Sequence, residues 1–270
     1  MSLYEGILIG VIQGITEWLP ISSEGLITSI ASLGFEHTFK QAVSLSIWLH
    51  LGTAFAAAFS FRRHLLQLLK DFIQDRESSK ELGMLITAVL ISGMIGFPLL
   101  LLIREVQLTE GAGDVTMILI GSFMVISGFV QRYRRNSIAN VTRQDLSIID
   151  VTILGIAQGL AVMPGLSRSG LTVSVLLLRG LEQQKAITIS YIISIPAALG
   201  AAVYIGITDG LFLSAINLLA GFVAFVSGLF TIRIVLGFAK QLNISKLLIW
   251  IGFMMVFAAI PFLAVRLYLA

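Results

Sequence analysis

The sequence predicts an all-α, polytopic integral membrane protein with six transmembrane helices and two re-entrant helical hairpins in an inverted-topology repeat. Three observations predict it. Of the 270 residues, 57% are hydrophobic and 12% charged, where a soluble domain carries about 25% charged residues. The apolar runs are continuous rather than alternating, as in spanning helices and unlike a barrel. Two of them are interrupted by polar, turn-forming stretches, one in each half of the chain. Irregular backbone at membrane depth is tolerated only where protein or a watery cavity surrounds it.

Composition also closes off several functions. The chain has no cysteine, which excludes disulfides, thiolate chemistry and cysteine metal sites. His37, His50 and His64 do not form a metal-ligand spacing. A net charge of +3 gives no reason to expect nucleic acid. The start of the chain lacks a basic segment, so no cleaved signal peptide is expected.

In chain order, residues 3–19 are apolar but carry Glu5, Gln13 and Glu17. As a helix they reach about 25 Å, short of a comfortable span. Pro20-Ile21-Ser22-Ser23-Glu24-Gly25 then breaks the run, and the apolar 26–33 follows. This is the first re-entrant hairpin. Spans are expected over 41–61, 82–103, 115–130, 186–207, 213–236 and 246–268. The second hairpin is 148–178, broken at 164–172. Loop 62–81 holds five Lys/Arg and loop 131–147 four Arg, whereas loop 104–114 holds one Arg against three acids. The positive-inside rule places the first two loops in the cytoplasm and the third outside. The first hairpin then starts and returns outside, and the second starts and returns inside.

That layout contains a repeat. Gly10-Val11-Ile12-Gln13-Gly14-Ile15 resembles Gly155-Ile156-Ala157-Gln158-Gly159-Leu160, and each is followed by a Ser-rich break ending in Gly25 or Gly170. Three spans follow each break. Three is odd, so the halves (about 1–130 and 148–270 of a single domain covering 1–270) have opposite orientation, and their broken helices meet near mid-membrane.

The breaks carry the polar chemistry. Pro164 ends one helix, Gly165 and Gly170 free the backbone, and Ser167 or Ser169 can cap the next. A helix start offers free N–H groups to an anion, and Arg168 adds a guanidinium fork suited to phosphate. Gln13 and Glu17 share one helix face. Three roles stay open for Glu17: divalent-metal ligand, general base, or partner of Arg168. Ser22 and Ser23 can donate to phosphate, cap a helix, or in one case act as nucleophile beside a base. Glu24 is either a second ligand or base, or an acid solvated at the outer surface. If the repeat joins the breaks, one cavity holds Glu17, Ser22, Ser23, Ser167, Arg168, Ser169 and Thr172, a set suited to phosphoryl chemistry.

These residues carry a resemblance. Gln13-Gly14-Ile15-Thr16-Glu17 with Pro20-Ile21-Ser22-Ser23 resembles the first signature of the undecaprenyl-diphosphate phosphatase, or bacitracin-resistance, family. Pro164-Gly165-Leu166-Ser167-Arg168-Ser169-Gly170-Leu171-Thr172 resembles its second, and the likeness spans the chain. The resemblance implies a plasma-membrane phosphatase that removes the terminal phosphate of a polyprenyl diphosphate, recycling a lipid carrier for the cell envelope. It implies an outward-opening site and a need for Mg²⁺ or Ca²⁺. Carried over by position, Gln13 and Glu17 match the acidic motif, Ser23 the serine of the turn, and Ser167, Arg168 and Thr172 the phosphate-binding residues. Where family members commonly have a histidine, this chain has Leu26. Glu17, Glu24 or His50 is left to take its place, although the plainer reading of His50 is a hydrogen-bonded helix-packing histidine. The rival reading is a transporter or flippase of a phosphate-bearing lipid or anion, since inverted repeats with broken helices are a transporter design. The sequence is compatible with a homo-oligomer.

Overall fold

A computed structural model describes residues 1–74, 80–105, 118, 121–126, 128–129, 132, 143–163, 166–238 and 243–269. Among the described residues the regular structure is helical and includes no strand. The first half contains α1 (Leu3–Thr16), α2 (Ser23–Ser29) with a π-helical turn (Ile30–Gly34), α3 (Phe39–Ser60), α4 (Arg62–Gln74) and α5 (Lys80–Glu105). The second contains α6 (Ile148–Leu160), α7 (Arg168–Leu178), α8 (Gln183–Thr208), a 3₁₀ turn (Leu211–Leu213), α9 (Ala215–Phe238) and α10 (Ile244–Leu269). Among the described residues four helices, α3, α5, α8 and α9, are long and apolar enough to cross a membrane. Of the span expected over 115–130, residues 118, 121–126 and 128–129 are described, whereas the turn residues Pro164 and Gly165 lie outside the described residues.

Both hairpins close on their own starting ends. Ser2 caps α1, and the chain returns so that His37 Nε2 lies 3.3 Å from Glu5 Oε2. Ser147 caps α6 in a capping box with Asp150, and the chain returns so that Arg179 Nε donates to Asp150 Oδ1 at 2.7 Å. Arg143 adds a second guanidinium to Asp150 at 2.7 Å, and its backbone pairs with Gly180 O and Glu182 N. Gly180 takes φ +86°, a left-handed conformation that glycine adopts freely. Ser2, Glu5, Gly10, Gln13, Gly14 and Ser22 recur in the same register as Ser147, Asp150, Gly155, Gln158, Gly159 and Ser167.

Helix directions follow from which residues meet. Gly6 faces Ile216 and Gly14 faces Ser227, so α1 runs parallel to α9. Gly155 faces Ala88 and Gly159 faces Ser92, so α6 runs parallel to α5. α3 is parallel to α9, since Trp48 donates to Asn217 O near one end and Phe59 stacks on Phe225 further along, and antiparallel to α8, since Ser44 donates to Asp209 at one end and Phe61 stacks on Tyr191 at the other. Lys185 pairs with Glu81 and Phe97 stacks on Tyr204, so α5 and α8 run together. The outcome is two opposed triplets, α1–α3–α9 and α6–α8–α5. Each hairpin's first helix packs on a long helix of the other half. Glycine permits that approach: a Cβ at Gly14 would stand 1.9 Å from Ser227 Oγ and 2.6 Å from Gly228 N.

Candidate active site

The two breaks meet. Arg168, at the start of α7, donates through Nη2 to Oε1 of Glu17, which caps α1. Ser169 Oγ donates to Leu19 O at 2.6 Å, and the Tyr191 hydroxyl donates to Trp18 O. The second half thereby holds the backbone of the first break in place. Their meeting point is a cavity whose polar wall is Glu17, Ser23, Glu24, His50, Gln158 and Arg168, with Ser169 beside them. Its apolar wall includes Ile47 of α3, Leu100 of α5 and Ala197, Ala198 and Ala201 of α8.

Glu17 is the centre of the polar wall, and it is 4% exposed. A carboxylate this deep requires compensation. Its Oε2 accepts from Gln13 Nε2 at 3.0 Å and Ser23 Oγ at 2.6 Å, and lies 3.1 Å from His50 Nε2. Its Oε1 takes Arg168. The other His50 nitrogen, Nδ1, lies 2.8 Å from Ser46 O. A carbonyl can only accept, so Nδ1 carries a proton and orients the ring toward Glu17. Glu24 is engaged, among the described residues, by His50 Nε2 at 3.8 Å.

Two buried polar atoms at the cavity are unpartnered: Arg168 Nη1 and Gln158 Oε1. A guanidinium with one arm on a carboxylate and the other bare is half satisfied, and an anion completes it. The first turn of α7 adds its dipole at the same place.

Of the residues singled out in the sequence, Glu17, Ser23, Glu24, His50, Arg168 and Ser169 line this cavity. The others support it from behind. Gln13 steadies Glu17. Ser22 and Ser167 cap α2 and α7 by accepting from Gly25 N and Gly170 N, each at 3.1 Å. Thr172 donates to Arg168 O at 2.7 Å and meets Ser190 Oγ at 2.6 Å. Leu26 is 38% exposed and does not line the cavity. Sequence reasoning assigned no role to Gln158, Tyr191 or Ser46. For Gln158 the signal was present, since it is the repeat counterpart of Gln13. Ser46 lies one turn before His50 on α3 itself, and Tyr191 reaches Trp18 O because α8 packs against the first break.

An all-helical membrane protein with a buried carboxylate and a half-satisfied arginine at the meeting of two broken helices is the class defined by this fold and site. Comparison with known proteins refines it. The family described as Bacitracin resistance protein BacA matches residues 6–260, and the chain belongs to that family. It is similar to proteins named "Undecaprenyl-diphosphatase" from Methanococcoides burtonii (35% identical, covering 93% of this chain and 96% of the relative) and Methanothrix thermoacetophila (38%, covering 93% and 95%). A third, of the same name, from Saccharolobus solfataricus is 34% identical, covering 94% and 95%.

Proposed function

We propose that this protein is a membrane phosphatase that hydrolyses undecaprenyl diphosphate, or a similar polyprenyl diphosphate, to the monophosphate and inorganic phosphate, returning a lipid carrier to use. The observation that carries the reading is the bare Nη1 of Arg168, buried beside Glu17 and Ser23. Family membership and the relatives' name support the substrate class. In this reading Arg168 and the first turn of α7 hold the terminal phosphate. Glu17 accepts a proton from the attacking group, and Ser23, donating to Glu17 at 2.6 Å, helps position it. His50 and Gln13 keep the carboxylate aimed. The apolar wall of α3, α5 and α8 takes the start of the prenyl chain.

Among the described residues no group of three His, Asp or Glu forms a ready-made metal cage, so a divalent cation, expected on Glu17 from the family likeness, would instead be held by Glu24 together with the substrate. The Glu17 oxygens are taken by four donors, whereas Glu24 has His50 only at a distance. Mg²⁺ is commonly held by one or two carboxylates together with substrate phosphates, and Glu24 provides one. Such a cation would neutralise charge on the diphosphate.

The topology completes the reading: one domain with two re-entrant hairpins and six spans in the plasma membrane, the halves inverted. Leu100 and Ala201 lie near the ends of α5 and α8, and Ile47 near the start of α3. These ends lie opposite the basic side marked by Arg62, Arg63, Arg143 and Lys185, so the positive-inside rule turns the cavity outward.

The test is phosphate release from undecaprenyl diphosphate by purified protein in detergent, with no membrane compartment. Arg168→Ala and Glu17→Ala are each expected to lower kcat by about a hundredfold or more, in line with the loss of a charged transition-state contact. Full activity in either folded variant refutes the assignment. A pure carrier, the rival favoured by the opposed triplets, releases no phosphate at all. Chelator is expected to stop release, and Glu24→Gln to raise the Mg²⁺ concentration giving half-activity.

A further inference from the structure

Gln158 lines the cavity yet takes no part in the mechanism so far. It is 3% exposed. Its Nε2 donates to Ser92 Oγ at 3.1 Å and to Ile193 O at 3.0 Å. Ile193 O can only accept, so the amide cannot be reversed, and both N–H groups are spent. The carbonyl Oε1 is left buried and without a partner.

A fixed, unpartnered acceptor on a residue that lines an anion's pocket needs explaining. Diphosphate oxygens also accept, so they repel Oε1 unless a donor stands between. Hydrolysis consumes one molecule that brings two O–H donors, namely water. We propose that Gln158 is a positioning residue for the hydrolytic water, an inference that rests on the phosphatase reading. One O–H points at Oε1 and the other at the base. The water oxygen bonds to the terminal phosphorus, and the bond from that phosphorus to its leaving oxygen breaks. One proton passes to the Glu17 carboxylate and on to solvent, and the other stays on the new phosphate. A glutamine orienting an attacking water is a known device of phosphoryl transfer.

Methanol makes the test specific. It has a single O–H, which the base takes, so it cannot use Oε1. Full-length protein in detergent is given undecaprenyl diphosphate in buffer containing methanol, and inorganic phosphate and methyl phosphate are both measured. Gln158→Met is expected to lower kcat about tenfold, the scale of one lost hydrogen bond. KM should stay within about twofold, and the share of methyl phosphate should rise. Should the Met variant fail to fold, Ser92→Ala, which frees one side of the amide, is expected to raise the methyl phosphate share in part. An unchanged product ratio in every folded variant overturns the proposal, whatever happens to kcat. So does a shift in the Mg²⁺ concentration for half-activity, which would make Oε1 a cation ligand. Absence of phosphate release by the parent protein is a separate result, and would end the phosphatase reading itself.

Discussion

Glu17 is surrounded by donors that do unequal work, and single substitutions separate them. Ser23 supplies the shortest neutral contact, 2.6 Å. If it only aims the carboxylate, Ser23→Ala costs about one hydrogen bond, near tenfold in kcat; if its oxygen attacks phosphorus, the alanine variant is inactive. Rate measurement on the folded variant decides between them. At the other end of the molecule, Asp150 is a purely structural carboxylate. Burial opposes its charge, but Arg179, Ser147 and Arg143 outweigh that and hold its pKa down to about 2, from an ordinary 3.8. A depressed pKa stabilises above the unfolded value and is lost as pH falls through the folded one. The stability advantage of the parent protein over Asp150→Asn, measured by thermal unfolding, is therefore expected to be full above about pH 4 and to fade toward about pH 2.

At the scale of elements, the breaks were legible because proline, serine and glycine interrupt apolar runs, and the spans because their apolar runs are long. Four expected spans, 41–61, 82–103, 186–207 and 213–236, correspond closely to α3, α5, α8 and α9. Less legible was which side of a helix faces its neighbour: α3, α5, α8 and α9 are apolar all round, so no periodic stripe marks a buried face. Hence His50 read more readily as packing than as chemistry, until α3 was seen beside the first break. Glycines mark the tight crossings better. Gly52 on α3 would bring a Cβ to 2.0 Å from Gly221 O, and backbone cannot yield as a side-chain tip does. Gly52→Ala is expected to lower stability by about 1–3 kcal/mol, read as a lower unfolding temperature in detergent. Gly83→Ala, with open space around its Cβ position, should be neutral by the same measure.

For the whole molecule, the repeat is faithful in its scaffold and broken at its chemistry. Caps, glycines and glutamines recur in register, but the register sets Glu17 against Val162 and Ser23 against Arg168. One half supplies the carboxylate and the other the guanidinium, and neither holds a site alone. The cross-packing of the hairpins extends this to biogenesis. α1 finds its parallel neighbour in α9, which the ribosome delivers only near the end of synthesis. Until then the first hairpin waits in the bilayer without its proper companion, so late truncations should leave a protease-sensitive amino-terminal segment even though every residue of that segment has been made.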